Sequence, residues 1–337
     1  MKIREYLKLA RSFNAVLTGI SPVMGAIAMQ EYRIWYLLIL FLAGFFGHTY
    51  GFVFNDVIDY RIDKSSKEIS DRPLISGTIS IKNALFFAFI SMILAFVFAF
   101  IIAFNTGRFF PIILLGISGL SITLYDFISK KYPFTDIFVA LGIFFLILYG
   151  ALTVNSDIYK LTTITWFVAV LGSIQVLFMQ IVAGGMKDIE NDFKKGAKTL
   201  AIRMGVRIVN GDLKVSSSYK FLAYFIQVLD IIVVFLPFYV IPNFTKSFEL
   251  KIFQWVALIL VAIIMFYLSY KLLSMKQFKR EKARKFIGSH YITNFTLVPI
   301  LLISINPWAG LLVFFPALGF IVSNLIVHGT LLQPKTM

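Results

Sequence analysis

Long apolar stretches alternate with short polar ones along almost the whole chain. Apolar segments close to 20 residues recur, which is about the length of an α-helix that crosses a ~30 Å hydrocarbon layer. Their pattern predicts spans at residues 14–30, 34–54, 83–104, 109–128, 134–153, 162–183, 221–241, 252–274, 287–305 and 308–328. Pro299 and Pro316 interrupt the last two spans, although membrane helices tolerate proline better than soluble ones do. The predicted fold class is therefore all-α, a polytopic integral membrane bundle of about nine to ten helices.

The composition supports a membrane protein. Hydrophobic residues make up 59% of the chain and charged residues 15%, whereas soluble domains have roughly 45–50% and about 25%. The stretch at residues 1–14 is basic and amphipathic, and it lacks the apolar core and the cleavage site that are typical of a signal peptide. The chain contains no cysteine, so disulfides, thiolate metal sites and cysteine nucleophiles are excluded.

The positive charge is distributed unevenly across the predicted membrane. When the spans are threaded alternately, only five of the 32 Lys and Arg residues fall on the side opposite the N-terminus. These five are Arg33, Arg108, Lys160, Lys246 and Lys251. This asymmetry predicts a multi-pass protein of the cell membrane with a cytoplasmic N-terminus and cytoplasmic long loops. The net charge of +15 then reflects topology and affinity for anionic membrane lipids or a diphosphate, and no nucleic-acid partner is expected.

Acidic residues are concentrated at two span ends on the predicted cytoplasmic side. Asp56, Asp59 and Asp63 follow the second span at i, i+3 and i+7, and Asp188 and Asp192 follow the sixth at i, i+4. Each set falls along one stripe of a helix. Stacked carboxylates repel one another unless a cation lies between them, and hard oxygen ligands suit Mg²⁺. Because Mg²⁺ takes one or two carboxylates plus phosphate oxygens, the pattern predicts a Mg²⁺ site for a phosphorylated substrate.

Any one of these acids, taken alone, is more often a solvated loop residue than a ligand. Two clusters at helical spacing on one membrane face favour the ligand interpretation. The basic residues near them that could meet a diphosphate are Arg72, Lys130, Lys131, Lys187, Lys194, Lys195 and Lys198. Cytoplasmic loops carry lysine for topology in any case, so Arg72 and Lys130 are the better candidates. The phenol of Tyr125, the amide of Asn55 and the amide of Asn14 lie at span ends near the same face.

The chain resembles the UbiA superfamily of intramembrane prenyltransferases in an ordered set of motifs. The matching pieces are N-D-x-x-D-x-x-x-D at 55–63, R-P-L-x-S-G at 72–77, Tyr125 with Lys130, and D-x-x-x-D at 188–192. The resemblance covers roughly residues 10–290 and implies a helical bundle capped by the acid-bearing cytoplasmic loops. We therefore expect a prenyltransferase domain at 1–305, followed at 306–337 by an additional helix and a tail.

The resemblance also implies an activity and a set of site residues. Members bind an isoprenyl diphosphate through Mg²⁺, transfer the prenyl group to an acceptor and release diphosphate. The implied catalytic residues are Asp59, Asp63, Asp188, Asp192, Lys130 and Tyr125. The four aspartates are also the implied metal ligands, with Asn55 and Asp56 as further candidates. The implied substrate-binding residues are Asn14, Asn55, Asp56, Arg72, Lys187 and Lys198.

The sequence leaves the acceptor open between a small molecule and a lipid. The nine-residue step from Asp63 to Arg72 resembles members that use quinone precursors, so an aromatic quinone precursor is the first expectation. Glu68 and Ile69 replace the basic-Thr pair of those members. The second acidic motif with its K-G-A-K-T-L tail resembles both those members and the ones that make archaeal ether lipid. Geranylgeranylglyceryl phosphate is therefore the alternative acceptor, and geranylgeranyl diphosphate is the expected donor.

Two other functions remain as alternatives at this point. A cation-coupled transporter would place its acids near the centre of the membrane, whereas most clustered acids here are at its edge. A CDP-alcohol phosphotransferase would carry D-G-x-x-A-R, which this sequence lacks. Prenyl transfer is the function that the motifs favour.

Overall fold

Helices form nearly all of the regular structure. The computed structural model describes residues 2–64, 69–194, 196–209 and 211–331, so Glu68, Lys195 and the last six residues of the expected tail lie outside the described residues. The helices are α1 (Lys2–Leu9), α2 (Ser12–Ala28), α3 (Ile34–Ile58), α4 (Tyr60–Asp63), α5 (Ile81–Thr106), α6 (Phe110–Ile128), α7 (Asp136–Val154), α8 (Thr163–Phe178), α9 (Gly185–Lys187), α10 (Ile189–Lys194), α11 (Leu200–Arg203), α12 (Ser217–Phe235), α13 (Pro237–Val240), α14 (Phe248–Leu273), α15 (Arg280–Asn294), α16 (Leu297–Leu302) and α17 (Phe314–His328). A π-helical segment at Met179–Gly184 joins α8 to α9, and 3₁₀ turns occupy Ile158–Lys160 and Pro307–Val313.

The helices confirm the predicted multi-pass membrane fold. Within the described residues, eight helical segments are long and apolar enough to span a membrane, and α2 is a shorter apolar helix. The eight are Ile34–Ile58, Ile81–Thr106, Phe110–Ile128, Asp136–Val154, Thr163–Lys187, Ser217–Val240, Phe248–Leu273 and Pro307–His328. Together with α2 they correspond to nine of the ten predicted spans.

The span predicted at 287–305 does not form as one helix. It is divided between α15 and α16, with the break at Phe295 and Thr296. Pro299 explains the break, because proline has no N–H to donate and its ring collides with the carbonyl group four residues earlier. Pro316 is harmless by contrast, since it lies in the first turn of α17, where N–H groups have no intrahelical partner.

The centre of the bundle depends on a close approach of α2 and α7. A Cβ atom at Gly150 would lie 1.9 Å from the carbonyl oxygen of Pro22, and one at Gly25 would lie 2.1 Å from that of Ile147. Only glycine fits at either position, so the two backbones pack directly against each other. Buried aliphatic residues of α2, α3, α7 and α8 surround this crossing and form the main core.

The C-terminal helix is packed on the N-terminal ones. The Arg4 guanidinium donates a hydrogen bond to the carbonyl oxygen of Val327 at 2.9 Å, and α17 also contacts α2. The predicted domain boundary between residues 305 and 306 stays a prediction.

A small hairpin lies beside the end of the bundle that carries the acid motifs. Strand β1 (Arg207–Val209) pairs antiparallel with β2 (Asp212–Lys214). The Leu213 N–H donates to the Lys276 carbonyl oxygen at 2.7 Å, which ties the hairpin to the segment preceding α15. The first turn of α15 is thereby fixed next to α9.

Candidate functional site

A polar cavity of about 190 Å³ lies at one end of the bundle, where α3, α6, α9 and α10 meet. Both acid motifs reach it, although they are far apart in the sequence. The predicted site residues that line it are Asn55, Asp59, Asp63, Arg72, Tyr125, Lys130, Lys187, Asp188 and Asp192. The folded chain therefore assembles most of the predicted site in one place.

The first acid motif is bound by cations from two other segments. Arg72 Nη1 lies 2.7 Å from Asp63 Oδ2 and 3.5 Å from Asp56 Oδ1. Lys130 Nζ lies 2.9 Å from Asp59 Oδ2 and 3.6 Å from Asp63 Oδ1. Only Asp59 separates α3 from α4. Asp56, Asp59 and Asp63 therefore lie along one side of the helices, as their spacing predicts.

The second acid motif follows the π-helical segment. A π turn leaves backbone carbonyl groups displaced from the regular helical ladder, and here the Tyr219 hydroxyl donates to the carbonyl oxygen of Ile181 at 2.7 Å. Asp188 lies between α9 and α10, and the Asp192 N–H donates to its carbonyl oxygen at 2.9 Å. The two carboxylates therefore remain one helical turn apart.

Two cations contact the Asp188 carboxylate. Lys187 Nζ lies 3.2 Å from Asp188 Oδ2, and Arg280 Nη2 lies 3.0 Å from Asp188 Oδ1. Arg280 is the first residue of α15, so the second half of the bundle contributes directly to the cavity.

The acidic side chains differ in how well they are compensated. Burial raises the pKa of Asp59, and the Lys130 ammonium offsets only part of this effect. Burial and the neighbouring Asp188 carboxylate raise the pKa of Asp192. Burial would also raise the pKa of Asp188, but Lys187 and two arginines outweigh it and lower that pKa. Nearby positive charge therefore compensates only in part for the burial of Asp59 and Asp192.

The donor set fits a metal ion that is shared with a substrate. Among the residues that the structure describes, no three His, Asp or Glu side chains are close enough together to hold a metal ion by themselves. Mg²⁺ needs only one or two protein carboxylates when water and phosphate oxygens complete its shell. The partly compensated carboxylates of Asp59 and Asp192 match that requirement.

Three predicted substrate-binding residues do not line the cavity. Asp56 is buried behind it against Arg72, and Asn14 is buried within α2. The Lys198 side chain is exposed. Only its backbone contacts the loop between α6 and α7, where the Lys198 N–H donates to the Lys130 carbonyl oxygen at 3.3 Å.

Sequence reasoning missed several residues of the cavity wall, among them Arg11, Asp126 and Arg280. Arg11 Nη2 lies 2.7 Å from Asp56 Oδ1. Asn55 Nδ2 donates to Asp126 Oδ1 at 3.0 Å, so the Asn55 amide holds a carboxylate of α6. An acid in the last turn of an apolar span was a signal for Asp126, whereas the two arginines look like ordinary loop charges in the sequence.

A second cavity of about 410 Å³, mostly apolar, adjoins the polar one within the membrane-spanning part. The residues common to the two walls are Gly51, Phe52, Ile122, Val139 and Gln180. Gly47, Gly116 and Gly119 line the apolar cavity, and a Cβ atom at any of them would meet no atom within 4 Å. The two cavities therefore meet along a shared wall, and the apolar one, called the apolar channel below, has open space at its glycines.

His48 lies on the wall of this apolar cavity. Its Nδ1 is 2.8 Å from Thr18 Oγ1, and its ring stacks on Phe52 with the centroids 4.1 Å apart. His48 thus connects α3 to α2 at the wall of the apolar cavity, outside the polar one.

Comparisons with known proteins agree with this geometry. The sequence model of the UbiA prenyltransferase family matches residues 15–290. A digeranylgeranylglyceryl phosphate synthase of Methanocaldococcus jannaschii is 28% identical over 288 residues, which cover 84% of this chain and 90% of that protein. The synthase of Methanobrevibacter smithii is 28% identical over 209 residues, covering 61% of this chain and 71% of that protein.

Solved structures share the fold. A structure of a digeranylgeranylglyceryl phosphate synthase superposes with a TM-score of 0.59 at 24% identity and covers 92% of this chain and 99% of that one. A UbiA homologue from Archaeoglobus fulgidus, bound to GPP and Mg²⁺, superposes with a TM-score of 0.64 at 15% identity, covering 89% and 99% of the two chains.

Proposed function

This chain belongs to the UbiA prenyltransferase family, and we propose that it transfers a geranylgeranyl group from its diphosphate to the hydroxyl group of geranylgeranylglyceryl phosphate. Family membership confirms the resemblance found in the motifs and the predicted class, an intramembrane prenyltransferase. It favours this enzyme over a cation-coupled transporter.

The named relatives support the choice of acceptor. A digeranylgeranylglyceryl phosphate carries two geranylgeranyl groups on one glyceryl phosphate, so its synthesis requires transfer of the second group to a singly substituted glyceryl phosphate. The relatives therefore favour the ether-lipid alternative over the aromatic quinone precursor that the Asp63–Arg72 step first indicated.

The observation that carries the proposal is the junction between the polar and the apolar cavity. An isoprenyl diphosphate has a charged end and a long apolar tail, and the joined cavities offer a matching environment for each. The diphosphate would lie among the acid motifs, and the prenyl chain would extend past Phe52 and Ile122 into the channel.

In this arrangement the acid motifs hold the diphosphate through Mg²⁺. Asp59, Asp63, Asp188 and Asp192 would be the protein ligands, with Asn55 positioned by Asp126 beside them. When bound, Mg²⁺ supplies positive charge that stabilises the departing diphosphate. Arg72, Lys130 and the Tyr125 hydroxyl provide further hydrogen-bond donors for phosphate oxygens at the cavity wall.

The reaction breaks the allylic C–O bond of the donor, and the electron pair leaves with the diphosphate. The acceptor hydroxyl oxygen forms the new C–O ether bond with the allylic carbon and loses its proton. Phe52 lies at the junction of the two cavities, so the reacting carbon of the donor would lie beside this ring.

We also propose that the polar cavity faces the cytoplasm. The predicted topology places 27 of the 32 Lys and Arg residues on the side of the membrane that carries the acid motifs. Only five, among them Arg33, Arg108 and Lys160, are predicted for the opposite side. Charged substrates would then enter from the compartment in which they are made, and anionic lipids would surround the basic rim.

A transfer assay tests the proposal. Purified protein in detergent receives Mg²⁺, geranylgeranyl diphosphate and three acceptors together, namely geranylgeranylglyceryl phosphate, 4-hydroxybenzoate and a naphthoate quinone precursor. We expect mass spectrometry to find digeranylgeranylglyceryl phosphate, which Asp59→Ala and Asp188→Ala abolish and the exposed-site control Asp71→Ala retains. A prenylated aromatic product in place of the lipid would overturn the proposed acceptor.

A further inference from the structure

Three cations converge on one side of the polar cavity. Arg11 comes from the junction of α1 and α2, Lys187 from the end of α9, and Arg280 from the start of α15. Their side chains are only 10%, 12% and 11% exposed. Elements distant in the sequence thus bring like charges together in a largely buried place.

These cations share their carboxylate partners with other groups. Arg11 and Arg72 both contact Asp56 Oδ1, at 2.7 and 3.5 Å. Lys187 and Arg280 both contact Asp188, which is also an expected ligand of the metal. Buried cations are costly unless they are fully paired. When two cations share one carboxylate, part of their positive charge is left without a partner, and a bound anion can neutralise it.

Hydrogen-bonding groups on the same wall point to the same kind of ligand. Within the described residues, Arg11 Nε, Arg72 Nε and Thr199 Oγ1 are buried and have no hydrogen-bond partner. All three residues line the polar cavity. Buried polar groups are normally hydrogen-bonded, so unused donors around a cavity indicate where a ligand supplies the acceptors.

The backbone of Arg11 is held in an unusual conformation. Its φ of 46° and ψ of 51° lie in the left-handed region, which residues other than glycine rarely adopt and which is common at binding sites. The turn directs the guanidinium over Phe52, with the Arg11 Cζ atom 4.9 Å from the ring centroid. Arg11 therefore reaches the junction at which the prenyl chain would enter the channel.

From these observations we propose that Arg11, Lys187 and Arg280 form a subsite for the phosphate group of the acceptor lipid. The inference rests on the proposed function, in which two phosphate-bearing substrates share one cavity. The donor's diphosphate, held with Mg²⁺, would lie at the partly compensated carboxylates of Asp59 and Asp192. A phosphate monoester that binds without a metal would lie beside Arg11 and Arg280, where guanidinium groups offer paired donors. Its glyceryl hydroxyl then lies near Phe52.

The test compares two acceptors that differ only in the phosphate, geranylgeranylglyceryl phosphate and geranylgeranylglycerol. Arg280→Gln, Lys187→Gln and Arg11→Gln are each expected to lower the preference in kcat/KM for the phosphorylated acceptor by at least about tenfold. The KM for geranylgeranyl diphosphate should change much less than this preference does. Lys282→Gln, which removes an exposed charge from the same helix as Arg280, is expected to change neither quantity.

The outcomes separate the subsite from the proposed function. If the variants raise the KM for the donor and keep the preference for the phosphorylated acceptor, the three cations bind the diphosphate and the subsite proposal is wrong. If the unmodified protein prenylates neither glyceryl acceptor, the proposed function itself fails. Should Arg11→Gln unfold, because it also removes the pair with Asp56, Arg280→Gln decides the question.

Discussion

The ammonium group of Lys130 lies 2.9 Å from Asp59 Oδ2 and so joins the loop after α6 to the first acid motif. Burial alone would lower the pKa of Lys130, but the carboxylates of Asp59 and Asp63 outweigh burial and raise that pKa. The side chain therefore remains charged at the cavity wall. When a diphosphate enters, this ammonium group is within reach of both the carboxylates and the phosphate oxygens.

Replacing this cation should weaken catalysis without unfolding the protein. Lys130→Gln is expected to lower kcat/KM for geranylgeranyl diphosphate by about 10- to 100-fold, because a hydrogen bond to a charged group is worth about 1.5–3 kcal/mol. The measurement is the initial rate of diphosphate release at several donor concentrations. Lys131→Gln removes the neighbouring exposed lysine and should leave the rate unchanged. Equal losses in both variants would show that loop charge in general, not the Asp59 contact, matters.

We expect the carboxylates of Asp59 and Asp192 to make the activity depend on a metal. Asp59→Asn and Asp192→Asn should each lower kcat/KM by about 100-fold or more and raise the Mg²⁺ concentration needed for half-maximal rate, because each removes a negatively charged oxygen ligand. A Mg²⁺ titration of the transfer rate measures both effects. Chelation with EDTA should abolish transfer, and added Mg²⁺ should restore it. Full activity in EDTA would contradict the metal assignment.

The apolar channel should set the length of the prenyl group. Gly116 lies six residues before Ile122 on α6, which places it about 9 Å deeper along the helix axis. A leucine side chain there would enter open space in the channel. Gly116→Leu is therefore expected to lower turnover of geranylgeranyl diphosphate much more than turnover of geranyl diphosphate. Competition between the two donors, with products measured by mass spectrometry, gives the ratio.

A matched change on the outer face of the same helix controls for altered packing. The Ile113 side chain is 58% exposed, so Ile113→Phe adds volume toward the lipid. This variant should leave the ratio of the two donors as it is in the unmodified protein. A similar shift in both variants would rule out the channel as the cause.

Two glycine-to-alanine changes should affect stability in opposite directions. Gly150→Ala places a methyl group 1.9 Å from the Pro22 carbonyl oxygen and should destabilise the bundle by about 1–3 kcal/mol or more, since α2 and α7 must separate. Gly119→Ala meets open space within α6 and should stabilise by about 0.5–1 kcal/mol through helix propensity. Unfolding of the purified variants in detergent measures both. Equal stability of the two would contradict the direct backbone contact.

The sequence predicted the spans well because a membrane helix has to be apolar along its whole length. It failed at 287–305, where Pro299 outweighs hydropathy and divides the segment into α15 and α16. The position of α15 depends on tertiary contacts, such as the hydrogen bond between the β-hairpin and Lys276 just before this helix. No periodicity in the sequence reports such contacts.

The candidate site likewise contains residues that the sequence predicted and residues that only the fold identifies. Spacing and family motifs identified the acids, and all of them except Asp56 line one cavity, as expected of side chains that share helix stripes. Arg11 and Arg280 could not be found in this way, because basic residues are abundant in the loops of this chain and no sequence pattern separates these two from the others. Only the fold distinguishes Arg280, which contacts Asp188 at 3.0 Å, from its exposed neighbour Lys282.

The pairing of the first acid motif with internal cations has a consequence for turnover. Asp59 and Asp63 lie in ion pairs with Lys130 and Arg72 before any substrate arrives. Binding of a metal-bound diphosphate would exchange these partners, so that the carboxylates would contact the metal and the cations would contact the phosphate oxygens. When diphosphate leaves, the original pairs would re-form and compensate the lost contacts. Such an exchange would let the site bind a highly charged product and still release it.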